Sequence, residues 1–173
     1  LVHHTPVAGE RVLALLAPAL TEPGAVLVDA TVGLGGHSRM ALDRFPAIRV
    51  IGIDRDPEAL EIAAERLSAS RERVHLVHVV FDEIPSVLAD QGIACADGVL
   101  FDLGVSSMQL DETRRGFSYA QDSELDMRMN PGDVLTAADV VNDYAEEDLV
   151  RILRQFGEEK FAPRIARGLV RAR

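Results

Sequence analysis

Glycines and carboxylates suited to nucleotide binding recur in the first third of the sequence. The stretch 29–37 (DATVGLGGH) follows a short apolar run and contains three glycines. Glycines after a strand let the backbone come close to a ligand, and the next helix offers free N–H groups. Asp54 comes about 20 residues later, where an acidic side chain accepts hydrogen bonds from both hydroxyls of a ribose. Residues 25–54 therefore predict a site for the adenosine part of a nucleotide-like cofactor.

The glycine turn departs from the dinucleotide fingerprint G-x-G-x-x-G at its third glycine. Gly33 and Gly35 fit that pattern, but Ser38 stands where the third glycine would allow close helix packing under a pyrophosphate. The adjacent pair Gly35 and Gly36 favours a ligand without a pyrophosphate, which makes NAD a weaker candidate. The alternative without a ligand is a glycine-rich turn followed by an Asp that caps the next helix.

Three predicted strands end in an aspartate, at Asp29, Asp54 and Asp102. The carboxyl ends of parallel strands form the ligand crevice of an open sheet. Three carboxylates at one edge repel each other, so we expect a cationic or donor-rich ligand among them, such as a sulfonium cofactor. Mg²⁺ is the rival ligand, ranked lower because no acidic ligand loop is present. Phe81 follows the third strand, where adenine can lie against its ring; a core Phe is the alternative.

Strands and helices alternate along the chain that positions these residues. Apolar runs predict four strands, at 25–30, 48–53, 74–80 and 98–101. Helical spacing and capping signals predict helices at 7–20, 37–44, 57–68, 84–90, 136–139, 145–156 and 158–173. Thr5 is expected to cap the first helix, with Pro6 at its first position. The alternation predicts an α/β fold, with a parallel sheet between helices on both faces. The polar stretch 103–132 has no clear period and is expected to form a functional loop.

Composition excludes several classes of protein. The 173 residues are 47% hydrophobic, enough for one domain with a core, and carry a net charge of −10. Such a chain does not coat nucleic acid by bulk electrostatics, so nucleic-acid contact needs a local basic patch. One cysteine, Cys95, rules out an internal disulfide and fits a reducing cytoplasm. No apolar run approaches the length of about 20 residues that spans a bilayer.

Six short motifs then occur in a fixed order along the chain. They are 33–37 (GLGGH), 53–56 (IDRD), 102–107 (DLGVSS), 115–118 (RGFS), 125–129 (LDMRM) and 157–161 (GEEKF). Together they resemble the ribosomal RNA small-subunit methyltransferase H family, also called MraW, over essentially the whole chain. The resemblance implies a Rossmann-like class I methyltransferase that uses S-adenosyl-L-methionine. Its substrate would be the N4 amino group of a cytidine in small-subunit (16S) ribosomal RNA, within the assembled 30S subunit.

The same resemblance implies which residues of this sequence contact the cofactor. They are Gly35, Gly36, His37, Asp54, Phe81, Asp102 and Gln109. Asp102 is also the candidate catalytic acceptor for the amino proton, with backbone carbonyls around Leu103 and Gly104. We expect residues 1–105 to form the cofactor-binding domain, and 106–173 the active-site loop and the start of a helical substrate-recognition insertion. Family members are far longer, so we expect an incomplete sheet in a truncated protein or a segment.

Basic residues in the second half of the chain are candidates for RNA contact. Arg114, Arg115 and Arg128 lie in the irregular segment 106–133, which would form a lid over the target base. Residues 160–173 contain five basic side chains and no acid, at helical spacing from Lys160 to Arg171. A solvated helix face is the alternative for this stripe. The alternatives for the whole function are methylation of another amino group, in DNA or protein, and a non-catalytic nucleotide-binding module.

Overall fold

The structure, a computed structural model, describes residues 6–173 and divides the chain into two compact units, Leu1–Met108 and Gln109–Arg173. The predicted cap Thr5 lies outside the described residues. Pro6 is not helical, because the first helix begins only at Gly9, after Ala8 takes a left-handed φ of 51°. Within residues 6–173, no helix is long and apolar enough to cross a membrane.

The first unit contains the predicted parallel sheet. Its strands are β1 (Val26–Asp29), β2 (Arg49–Asp54), β3 (Val74–His78) and β4 (Gly98–Leu100), in the order β3-β2-β1-β4. Val28 of β1 lies opposite Ile51 on one side and Val99 on the other. The chain winds from β1 outward to β3 and then crosses to β4. This reversal places a switch point between β1 and β4, where open α/β sheets bind ligands outside the carboxyl ends of their strands.

Helices cover both faces of this Rossmann-like sheet, as predicted. They are α1 (Gly9–Leu20), α2 (Gly36–Arg44), α3 (Pro57–Arg66) and α4 (Ile84–Asp90). Alternate strand residues point to opposite faces. Leu27 and Val50 join a core cluster with Leu13 of α1, whereas Val28 and Ile51 join a second cluster with Val87 of α4. Burial of each such side chain contributes about 1.5–3 kcal/mol, which fixes the strand ends in place.

The second unit contains three helices, α6 (Ala137–Asp143), α7 (Glu146–Gln155) and α8 (Ala162–Ala172); the short α5 (Ser107–Asp111) spans the division between the units. The predicted capping box is present, since Asp139 N–H donates to Thr136 Oγ1 at 3.1 Å and Thr136 N–H donates to Asp139 Oδ2 at 2.8 Å. The last helix was predicted from Glu158, which is wrong. Glu158 has a φ of 50°, and the helix begins with Pro163 in its first turn.

Internal hydrogen bonds organise the loop before α6. Arg115 is 3% exposed, and its Nη2 donates to the carbonyls of Arg128 and Met129 at 3.0 and 2.6 Å. Arg128 donates to both carboxylate oxygens of Asp126, and hydrogen bonds from Arg128 lower the pKa of Asp126 to about 2. The prediction that Arg115 contacts phosphates is therefore wrong, because its guanidinium group is buried and holds the loop together. Arg128 also holds the loop together, but its side chain is 25% exposed, and its contact with phosphate stays a prediction. Arg114 is exposed and paired with Glu112 at 2.7 Å.

Candidate functional site

The glycine turn joins β1 to α2 at the carboxyl edge of the sheet. Gly33 and Gly35 have φ values of 50° and 78°, a region that L side chains avoid. A Cβ at Gly33 would meet nothing closer than Thr31 O at 3.9 Å, so this part of the turn faces open space. A Cβ at Gly36 would lie 2.8 Å from Pro6 Cγ, so the absence of a side chain at Gly36 makes room for Pro6. A ligand contact at Gly36 would therefore be made by its backbone N–H or carbonyl group.

Asp54, at the end of β2, is tied directly to the glycine turn. Its Oδ2 accepts a hydrogen bond from Gly33 N–H at 2.8 Å, and its Oδ1 accepts one from Asp56 N–H at 2.9 Å. Burial raises the pKa of Asp54, against hydrogen bonds from the N–H groups of Asp56 and Gly33 that lower it. A carboxylate oxygen accepts more than one hydrogen bond, so both oxygens keep capacity for hydroxyl donors. This arrangement suits a ribose.

Asp29 differs from the other strand-end carboxylates because it is only 1% exposed. Ser38 Oγ donates to Asp29 Oδ2 at 2.6 Å, which ties the first turn of α2 to the end of β1. Burial raises the pKa of Asp29 to about 6, against the hydrogen bond from Ser38 that lowers it. The expectation that three carboxylates line one crevice is therefore wrong for Asp29. Ser38, which from the sequence alone was only the residue in place of the third glycine, donates the hydrogen bond to the buried carboxylate of Asp29.

Asp102, two residues beyond β4, is brought beside His37. Asp102 N–H donates to Thr31 Oγ1 at 2.7 Å, which anchors the chain after β4 to the end of β1. His37 Nδ1 lies 3.8 Å from Asp102 Oδ2, and His37 Nε2 lies 3.1 Å from the carbonyl oxygen of Val7. The Asp102 side chain is half exposed, at 50%, so it is accessible to a group that enters the crevice. Nothing in the sequence had singled out Thr31.

Phe81 and Phe101 form an aromatic pair at the same edge of the sheet. Their ring centroids are 5.6 Å apart and their planes are 87° apart, an edge-to-face geometry. The two residues follow β3 and β4, which are the outer strands of the sheet. Both rings are half exposed, at 48% and 47%, so the alternative that Phe81 is a core residue is wrong. Phe101 was not among the predicted site residues.

Six of the seven predicted cofactor residues thus belong to the first unit: Gly35, Gly36, His37, Asp54, Phe81 and Asp102. Gln109 belongs to the second unit, in α5, and is 5% exposed. Within residues 6–173, no group of three or more His, Cys, Asp and Glu side chains is arranged to hold a metal ion.

Comparison with known proteins gives one consistent result. A family model described as the MraW methylase family matches residues 1–173. The chain is similar to the ribosomal RNA small subunit methyltransferase H of Saccharopolyspora erythraea, with 57% identity over 98% of this chain and 52% of the relative. It is also similar to the Frankia alni protein of that name, with 61% identity over 98% of this chain and 53% of the relative. The chain therefore spans about half the length of these curated relatives.

Among solved structures, an rRNA methylase from Streptococcus thermophilus is similar to this chain with 22% identity and a TM-score of 0.44. The match covers 60% of this chain and 58% of that one.

Proposed function

Because this chain belongs to the MraW methylase family, we propose that the protein carrying it methylates the N4 amino group of a cytidine in small-subunit ribosomal RNA, with S-adenosyl-L-methionine as the methyl donor. The observation that supports this proposal most directly is the hydrogen bond from Gly33 N–H to Asp54 Oδ2, which holds a carboxylate next to the glycine turn. The names of the relatives, ribosomal RNA small subunit methyltransferase H, support the substrate class. A small-subunit substrate also implies a cytoplasmic protein.

The residues at the sheet edge fit this cofactor by charge and by hydrogen bonding. Asp54 would accept both ribose hydroxyls, and Phe81 offers a half-exposed ring face for adenine. When bound, S-adenosyl-L-methionine would supply a methyl group attached to a positively charged sulfur, and this sulfur would leave readily as a neutral thioether. The carboxylates of Asp54 and Asp102 favour that positive charge. Backbone contacts at Gly35 and Gly36 and a side-chain contact at His37 complete the proposed set in the first unit, and the resemblance adds Gln109.

Asp102 is the proposed acceptor for the proton that the reaction releases. The N4 lone pair of cytosine is conjugated into the ring, so this nitrogen is a weak nucleophile. An oxygen that accepts a hydrogen bond from the amino group favours the pyramidal form. The nitrogen would bond to the methyl carbon as the bond from that carbon to the sulfonium sulfur breaks and the neutral thioether leaves, and it would pass one proton to the Asp102 carboxylate. The rest of the catalytic effect comes from holding the amino nitrogen in line with the transferred carbon and from excluding water.

The target cytidine has to leave its stack, at a cost of roughly a few kcal/mol. Proteins that recognise RNA by sequence contact mostly loops and splayed bases, where the base edge is accessible. We propose, as the resemblance implies, that the substrate is the small subunit in its assembled form; the net charge of −10 on this chain provides no bulk attraction to RNA. Shape recognition of a folded particle does not require that attraction.

Methyl transfer to purified small subunits tests the proposal. The protein that carries this chain is incubated with labelled S-adenosyl-L-methionine and unmethylated small subunits, and the RNA is digested to nucleosides. We expect the label in N4-methylcytidine. Label in another nucleoside, in protein or in DNA would overturn the substrate assignment, and absence of transfer to any acceptor together with absence of cofactor binding would overturn the proposal as a whole.

A further inference from the structure

Residues 160–173 are strongly basic, whereas the 173 residues as a whole are acidic. Residues 160–173 contain Lys160, Arg164, Arg167, Arg171 and Arg173 and no acidic residue, against a net charge of −10 for the whole chain. Arg164, Arg167 and Arg171 recur at helical spacing along one side of α8. Ala162 and Ala166 are fully buried, so they face the interior of the unit. The basic side chains therefore form a stripe on the outer face of the helix.

Two of these five residues serve the fold of the second unit. Arg167 Nε lies 3.5 Å from Glu146 Oε1 at the start of α7, and Arg173 Nη1 donates to the carbonyls of Val141 and Tyr144 at 3.2 and 2.8 Å. Arg164 and Arg171 are exposed, as is Lys160. Across residues 6–173, no ion pair or hydrogen bond is formed by the side chains of Arg164 and Arg171. Their charge is available to an external anion.

Exposed aromatic rings accompany these charges at the turn between α7 and α8. Phe156 is 71% exposed and Phe161 is 66% exposed. Phe161 directly follows Lys160 and lies three residues before Arg164. Cationic side chains beside exposed aromatic rings are the combination that binds unpaired nucleotides, since the cations neutralise phosphates while the bases stack on the rings.

The geometry points to an RNA-binding surface at the turn between α7 and α8 and along α8. Its residues are Phe156, Lys160, Phe161, Arg164 and Arg171. We infer that it holds unpaired nucleotides of the RNA substrate, with phosphates at Arg164 and Arg171 and a base stacked on Phe161. The inference rests on the proposed function, because that proposal makes RNA the substrate. It adds a substrate-binding surface within the second unit, independent of the residues assigned to the cofactor.

The salt dependence of binding tests the phosphate contacts. Binding of the protein to purified small ribosomal subunits is measured over a series of salt concentrations for the wild type and for R164Q/R171Q. Loss of two phosphate contacts should reduce the slope of log K against log salt by about 1.4 to 1.8. The control R11Q/R151Q removes the same net charge from exposed arginines outside the surface, since Arg11 lies on α1 and Arg151 pairs with Asp148 on α7. Its slope should equal that of the wild type.

The stacking contact is tested at Phe161. F161L keeps an apolar side chain but removes the ring, and it should weaken binding to the subunits by about 5-fold or more at every salt concentration. Thermal unfolding of each variant confirms that it is folded. If the slope of log K against log salt is the same for the wild type and R164Q/R171Q, the inference is overturned. If binding is weaker but this slope is unchanged, the surface contacts a ribosomal protein and not RNA. A wild type that methylates subunits while both variants bind normally refutes this surface and leaves the proposed function standing.

Discussion

His37 connects two distant parts of the first unit, with its Nδ1 3.8 Å from Asp102 Oδ2 and its Nε2 3.1 Å from the carbonyl oxygen of Val7. The imidazole ring therefore joins the segment before α1 to the segment after β4. Asp102 is fixed from its other side by the hydrogen bond from its N–H to Thr31 Oγ1. The crevice at the carboxyl ends of β1 and β4 is thus held by contacts between residues far apart in sequence.

Substitution of His37 separates its two contacts. In H37Q the amide nitrogen can occupy the position of Nε2 and keep the hydrogen bond to Val7, whereas H37A loses both contacts. We expect H37Q to retain the thermal stability of the wild type and H37A to lose about 1 kcal/mol. Both variants should bind S-adenosyl-L-methionine about 5- to 10-fold more weakly by calorimetry, because both lack the group that faces Asp102. Unchanged affinity in H37A would remove His37 from the cofactor site.

Asp54 should be essential for binding the adenosine part of the cofactor. D54N keeps the size of the side chain but places an amide N–H₂ against a backbone N–H, and it loses the charged acceptor for the ribose hydroxyls. We expect affinity for S-adenosyl-L-methionine to fall by about 10- to 100-fold, the loss typical for hydrogen bonds to a charged group. Affinity for adenosine should fall by the same factor, because both ligands contain the ribose.

The matched control is E61Q, which removes one exposed negative charge from α3, the helix that follows Asp54. It should bind the cofactor as the wild type does. Equal affinities for D54N and E61Q would show that Asp54 only supports the turn.

The buried Asp29 predicts a specific dependence of stability on pH. Its pKa is raised to about 6 in the fold from 3.8, so the folded state binds this proton more tightly than the unfolded state does. The stabilisation is complete below the unfolded pKa and is lost as pH rises through the folded pKa. The loss amounts to about 3 kcal/mol between about pH 4 and pH 7.

Denaturant unfolding of the wild type and D29N at several pH values measures this effect. The Asn side chain is neutral throughout and its oxygen can still accept the Ser38 hydroxyl, so the stability of D29N should fall less over the same range. Asp54 also has a raised pKa in the fold, and its contribution is common to the two proteins apart from its Coulombic interaction with Asp29, the smallest of the causes that act on Asp29. Parallel pH profiles for the two proteins would contradict the assignment.

Phe101 should act on the cofactor through Phe81. The edge-to-face contact between the rings is worth about 0.5–1.5 kcal/mol beyond simple burial, and it orients the Phe81 ring. We expect F101L to weaken binding of S-adenosyl-L-methionine by about 2- to 10-fold in the wild-type background. In the F81L background the same change should have no effect. Additive effects of the two substitutions would show that the rings contribute independently.

The sequence predicts the strands and the glycine turn well, because both depend on local patterns. Apolar runs marked all four strands, and positive φ values at Gly33 and Gly35 account for glycine at those positions. The contacts of Ser38 and Thr31 could not be predicted, since each depends on a side-chain orientation set by the folded sheet. Arg115 shows the opposite failure. A polar loop normally predicts exposed arginines, yet this one is buried against two carbonyls.

The Asp102→Ala variant gives the most direct test of the account, because Asp102 is proposed both to contact the cofactor and to accept the amino proton. The measurement is the single-turnover rate of methyl transfer to unmethylated small subunits at saturating S-adenosyl-L-methionine, together with the affinity for that cofactor. The account predicts a rate at least about 100-fold below that of the wild type, as loss of a proton acceptor typically produces. A variant with near wild-type rate and near wild-type cofactor affinity would contradict both roles of Asp102.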